Sequence, residues 1–99
     1  MEPTGFEWDE GNSRKNEKHS VTKAEVEQIF LNKPLLFAPD LKHSQAEPRI
    51  HALGRTDGDR RLHITFTLRG DGALIRTISA RDMSREERAV YEQAVKANP

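Results

Sequence analysis

Leu62-His63-Ile64-Thr65-Phe66-Thr67-Leu68 is the stretch that decides how this chain folds. Leu62, Ile64, Phe66 and Leu68 alternate with His63, Thr65, Thr67 and then Arg69, and a period of two puts the first set on one face of a strand and the second on the other. Gly70-Asp71-Gly72 supplies residue types that accept positive φ in a tight hairpin, so Leu74 to Ala80 is predicted to return beside it. Upstream, Asp57-Gly58-Asp59 marks a second hairpin whose incoming strand runs from Arg49 to Arg55.

The register follows from the pattern, because a slip of one residue would exchange the core and solvent faces. Pairing Phe66 with Thr77, Leu68 with Ile75, Ile50 with Phe66 and Ala52 with Ile64 closes one apolar face over three strands. The reverse face then carries Arg49, Thr67 and Arg76 in one row and His51, Thr65 and Ile78 in the next. Arg69 sits beyond the first row and Arg81 follows the last strand. Guanidinium groups held on rigid strands bind phosphate in a forked, directional way, so this face reads as an anion site. A solvated face of a small sheet is the plainer alternative.

Composition sets the bounds. Ninety-nine residues make one domain over 1–99 with a single core, and residues 1–5 are expected to be flexible. Sixteen basic and sixteen acidic side chains cancel, so any basic site is local and does not rest on net charge. The absence of cysteine excludes disulfides and thiolate chemistry and fits a reducing compartment. No apolar run reaches membrane length and Met1 to Gly5 lacks a signal-peptide layout, so a soluble, cytoplasmic protein with no membrane partner is expected.

Outward from the meander, Phe6-Glu7-Trp8-Asp9 reads as a short strand, and Asp9 can cap a helix from Glu10 to Lys18. That helix holds Gly11 and no apolar residue; its one patterned face is Asn12, Asn16 and His19, with Lys15 and Lys18 beside it, and it reads as a solvated polar helix or a substrate-facing one. Thr22-Lys23-Ala24-Glu25 is a capping box, Val21 can staple onto Val26, and Val26, Ile29 and Phe30 form a buried stripe that ends at Lys33-Pro34. Leu35 to Ala38 suggests a strand, and Asp40 to Pro48, with His43, Ser44, Gln45 and Glu47, a polar loop. Ser84-Arg85-Glu86-Glu87 opens a last helix to Ala97, with Val90, Ala94 and Ala97 on one stripe and Tyr91 and Val95 on the adjoining one. Tyr91 would anchor this helix to the sheet or stack on a base. The fold class is α+β, an antiparallel sheet of about four to five strands with helices packed on it.

Taken together, Phe6-Glu7-Trp8-Asp9, Asn16 with Lys18-His19 and Val21, Phe30, the Glu47/Arg49 pair, Leu53-Gly54-Arg55, Leu68-Arg69, Ile75-Arg76, Ile78-Ser79-Ala80-Arg81 and Glu87-Arg88 with Tyr91 resemble the BrnT family of bacterial toxins from Phe6 to Tyr91. The resemblance implies a RelE-like fold, a ribonuclease that arrests translation, and inhibition by a BrnA-type antitoxin. It also implies that the toxin-antitoxin complex represses its own operon, with operator DNA touched only through the antitoxin. The chain departs from the family pattern at Asn12, where lysine is usual, at Ser20, where glycine is usual, at Pro48 within the acidic-arginine pair, and at Thr77, where an aliphatic residue is usual.

Metal-free RNA cleavage uses the neighbouring 2′-hydroxyl as nucleophile, so the protein must accept a proton, stabilise phosphoryl charge and assist the leaving 5′-oxygen. Arg49, Arg69 and Arg76 are the expected phosphate clamp, with Arg81 a fourth member. His19 is the first choice for proton transfer, as imidazole is the side chain that changes charge nearest neutrality; Lys18, Glu87 and Tyr91 are the other candidates for proton transfer or RNA contact. His19, His43, His51 and His63 show no ligand spacing, so no metal and no cofactor are expected. A non-catalytic RNA-binding or protein-interaction module on the same fold is the alternative reading.

Overall fold

The structure, a computed structural model, describes residues 3–43 and 47–97, leaving out the side chains of residues 15–17. Ser44 and Gln45 of the expected loop, and the side chains of Lys15 and Asn16, therefore lie outside the described residues. Strands β1 (Gly5–Phe6), β2 (Leu36–Pro39), β3 (Ile50–Arg55), β4 (Arg61–Arg69) and β5 (Leu74–Asp82) form one five-stranded sheet in the order β1-β5-β4-β3-β2, with helices α1 (Glu10–Glu17), α2 (Lys23–Leu31) and α3 (Arg85–Ala97). All neighbours are antiparallel except β1, which runs parallel to the start of β5. The class is thus α+β, and the expected strand at Phe6 to Asp9 shrinks to Gly5–Phe6, prolonged by the Glu7 amide donating to the Ile75 carbonyl at 2.9 Å.

The four pairs that fix the register are all present: Phe66 with Thr77, Leu68 with Ile75, Ile50 with Phe66 and Ala52 with Ile64. Between Thr65 and Phe66 the β4–β5 ladder shifts, so that Thr65 pairs with Ser79 and Ile78 has no partner. The row expected as His51, Thr65, Ile78 is therefore His51, Thr65, Ser79. The extra residue reverses the parity of the rest of β5, which runs two residues beyond the expected end. Ala80 joins the apolar face opposite Ile64, and Arg81 turns to the polar face opposite His63.

The apolar face packs on α2. The Thr22–Glu25 capping box is formed in both directions, Val21 and Val26 are both buried, and Val26 and Ile29 close over Ala52, Leu62, Ile64, Phe66 and Ala80. Phe30 meets Phe66 edge-on at 5.2 Å and Phe6 at 5.6 Å. Helix α2 approaches β3 so closely that any side chain at position 54 would press on Ile29.

On the polar face α3 covers the end of the strands where β5 finishes, hereafter the foot of the sheet. It turns inward on Tyr91, which is fully buried and anchors the helix as one of its two expected roles, and leaves Val90 57% exposed, so of the two adjoining stripes the one on Tyr91 packs. The choice is made by contacts a periodicity cannot show: the Tyr91 hydroxyl donates to the Pro34 carbonyl at 2.6 Å, and the Arg61 guanidinium lies 5.1 Å from the ring centroid. Helix α1 lies against β5 and is docked by a polar residue. Asn12 is 3% exposed, its side-chain amide donates to the Glu7 carbonyl, and Asn12 and Asp9 exchange backbone-to-side-chain hydrogen bonds of 2.7 and 3.1 Å. The reading of α1 as a purely solvated helix is corrected at Asn12 by this network.

A Cβ added at Gly54 would sit 3.0 Å from Ile29 Cβ and 3.2 Å from the Ile29 carbonyl oxygen. Gly54→Ala is expected to push α2 off the sheet and lower stability by about 1–3 kcal/mol in urea denaturation. An unchanged midpoint would show that the helix–sheet spacing is not as tight as described.

Candidate functional site

The residues singled out in the sequence fall into two groups at opposite ends of β5. At its start, the head of the sheet, Arg76 pairs with Thr67, and Arg49 stands just before the Ile50–Phe66 pair, on the level of Thr67. The Thr67 hydroxyl donates to the Pro48 carbonyl at 2.7 Å, which ties the segment before β3 to this row. Arg69 closes β4 on the same face. Two of these guanidinium groups are engaged by carboxylates: Arg76 Nη1 lies 2.9 Å from Glu7 and 2.8 Å from Asp9, and Arg69 lies 3.1 Å from Glu47. The Arg76 hydrogen bonds hold the Asp9 carboxyl below its ordinary range, and Asp9 in turn raises Arg76.

At the foot stand Lys18, His19, Arg81 and Glu87. Arg81 is gripped by both carboxylate oxygens of Glu87, at 2.7 and 3.0 Å, and also donates to the Asp82 carbonyl. Glu87 serves α3 as well, accepting from the Ser84 amide at 2.8 Å while the Ser84 hydroxyl accepts from the Glu87 amide. His19 is exposed in the turn after α1. Arg60 fixes that turn by donating to the carbonyls of His19 and Ser20 while its fork holds the Asp82 carboxylate. Among the described residues His19 is the one histidine whose ring has neither a hydrogen bond nor an ion pair. Six steps along β5 separate Arg76 from Asp82, about 20 Å of strand, so His19 does not share a phosphate-sized site with Arg49, Arg69 and Arg76. Tyr91, buried and bonded to Pro34, anchors α3 and offers no ring face to a base.

A partly buried polar cluster lies between the two ends, and it is legible in the sequence only as separate residues. His51 bonds Thr65 Oγ1 through Nδ1 at 2.9 Å, and its Nε2 lies 3.2 Å from Asp40, which also holds His43 at 3.1 Å. The His51 and His63 rings are 4.8 Å apart. Burial and the nearby Arg81 push His63 below its ordinary range, and its Nδ1 has no partner. With both His51 nitrogens occupied and His63 buried, this cluster braces the sheet and the loop after β2. Among the described residues no three His, Cys, Asp or Glu side chains are grouped to hold a metal ion, and no helix is long and apolar enough to cross a membrane.

The fold and the two cationic ends define a small α+β protein with a local, carboxylate-framed basic face on a chain of zero net charge. Residues 8–87 match the model of the family described as "Ribonuclease toxin, BrnT, of type II toxin-antitoxin system", and the chain belongs to that family. Such a family has RNA as its target and an antitoxin protein as its partner. No curated protein matches the chain.

Two measurements test this geometry. Ser20 adopts a left-handed φ of 55°, which glycine accepts without a Cβ clash, so Ser20→Gly is expected to raise stability by up to about 1 kcal/mol in chemical denaturation; a loss would mean the turn is held differently. The Arg81 hydrogen bond holds the Glu87 carboxyl down to about 2 from 4.5, with the Ser84 amide assisting against the opposing effect of burial. A carboxyl lowered on folding contributes stability that is full above its unfolded value and is lost as pH falls toward the folded one. The wild type is therefore expected to lose stability between pH 4.5 and about 2, and Glu87→Gln to show a flatter acid limb in pH-dependent unfolding. Equal slopes would show that the pair does not couple to folding.

Proposed function

We propose that this chain is a metal-independent endoribonuclease that inhibits translation in the cytoplasm and is neutralised by a BrnA-type antitoxin, through which alone it reaches operator DNA. The match of residues 8–87 to a ribonuclease toxin family carries the reading. In the reaction the 2′-oxygen attacks the adjacent phosphorus, the bond to the 5′-oxygen breaks, and the products are a 2′,3′-cyclic phosphate and a 5′-hydroxyl. His19, exposed and with its ring unengaged among the described residues, accepts the 2′-hydroxyl proton. Lys18 beside it gives a proton to the leaving 5′-oxygen. Arg81, preset by Glu87, takes the charge that builds on the phosphoryl oxygens. Glu87 is thus a positioning residue.

Arg49, Arg69 and Arg76 stand too far toward the head of the sheet to serve the same phosphate. They form a track for neighbouring phosphates of one strand, which exchange places with the carboxylates now bound there. Those carboxylate partners favour a second reading, a module that binds RNA without cutting it, in which the free imidazole of His19 has no role.

RNA incubated with the purified protein in excess chelator is expected to yield fragments with 5′-hydroxyl ends. His19→Ala and Arg81→Ala should each slow cleavage by about 10²-fold. Arg76→Ala should weaken RNA binding and reduce its logarithmic salt slope by about 0.7. Binding without cleavage would establish the second reading, and full activity in both foot variants would end the assignment of the foot.

A further inference from the structure

Helix α2 covers the apolar face of the sheet toward its foot and middle only. At the head, Phe6, Phe30, Leu35, Phe37, Phe66 and Leu68 line an open groove of about 740 Å³, and none of its lining residues carries a charge. Phe37 is 57% exposed and Leu68 38%, a concentration of apolar surface that an isolated domain of this size has reason to cover. The groove is concave, so its complement is a narrow convex ridge. A second copy docked about a two-fold axis would set hollow against hollow and leave space unfilled. An amphipathic helix, with apolar side chains three and four residues apart along one stripe, presents such a ridge. Membership in a toxin-antitoxin family requires a protein partner for this chain.

We propose that this groove is the seat of an amphipathic helix of the antitoxin. The inference rests on the chain being the toxin of such a pair and not on where RNA is cut. Strand alternation gives it a consequence. Leu68 lines the groove while Arg69 faces the opposite side, and Ile75 and Arg76 divide in the same way, so the helix that anchors the antitoxin does not touch the cationic row. Anchoring and RNA cleavage are then separable by mutation.

The chain has no cysteine, so single replacements report cleanly on burial. Leu68→Cys, Phe37→Cys and Arg69→Cys are each to be labelled with a maleimide dye, alone and in complex with the protein encoded by the adjoining reading frame. Labelling at positions 37 and 68 should slow sharply in the complex, and more than at 69. In a separate assay Phe37→Ala should weaken the complex about 30-fold while leaving RNA cleavage by the free chain unchanged. Undiminished labelling at 37 and 68 in the complex would overturn the proposal. So would slow labelling there in the free chain together with a dimeric mass, which would make the occupant a second copy. Cleavage by the free chain reads the proposed activity independently, so its absence would sink that reading and leave this one standing.

Discussion

One unpaired residue, Ile78, governs what the polar face can hold. Were Ile78 paired with Thr65, the strict alternation of β5 would set Ser79 in the buried slot opposite Ile64 that Ala80 fills and turn Ala80 to the polar face opposite His63. Arg81 would then stand opposite Leu62, where Asp82 now shares Arg60 with Glu25, on the face away from Glu87. The bulge sacrifices regular pairing at one step and in return places Arg81 level with His63 and within reach of Glu87. The start of α3 depends on the same event, because the carboxylate that caps Ser84 is the one that grips Arg81. Strand parity, an ion pair and a helix origin are thus one arrangement.

Charge is handled differently at the two ends of β5. At the head Arg69 and Arg76 are shared with partly exposed carboxylates, and ion pairs in such positions are worth roughly 0–1 kcal/mol each, so exchange for a phosphate costs little. A neutral chain gains no long-range pull toward RNA, so the track proposed at the head depends on phosphates meeting its particular spacing. At the foot Arg81 is held by two carboxylate oxygens and a carbonyl, so it stays aligned whether or not a ligand is present. A labile track at one end and a preset cation at the other suit the cleavage and product release proposed above.

The sequence made the meander legible because alternation, turn residues and register all point to one solution. Both capping boxes were equally plain. The bulge was not, since Ile78 is an ordinary strand residue and no glycine marks the step. The docking of α1 through Asn12 was hidden because a buried asparagine is justified only by partners, here Glu7 and Asp9, that the fold must bring. Val90 and Tyr91 lie on adjoining helical stripes, and only the Pro34 carbonyl and Arg61 decide between them. The residues of the candidate site were named from chemistry and resemblance, but their division into two ends was invisible until α1 was known to run beside β5 and leave His19 at its foot.

The two-sidedness of β4 and β5 also constrains how an inhibitor can act. A helix seated in the groove lies against one face of a single sheet layer, and the cations lie on the other. The way across is over the Gly70-Asp71-Gly72 turn, where positive φ at all three residues keeps the chain compact. A layer is roughly 10 Å thick, so about three extended residues continuing past the groove would bring an acidic segment to Arg69 and Arg76. There it would meet guanidinium groups already accustomed to carboxylates. On the docking proposed above, apolar anchoring on one face would supply the local concentration, and weak carboxylate exchange on the other would need only to compete with RNA at that concentration.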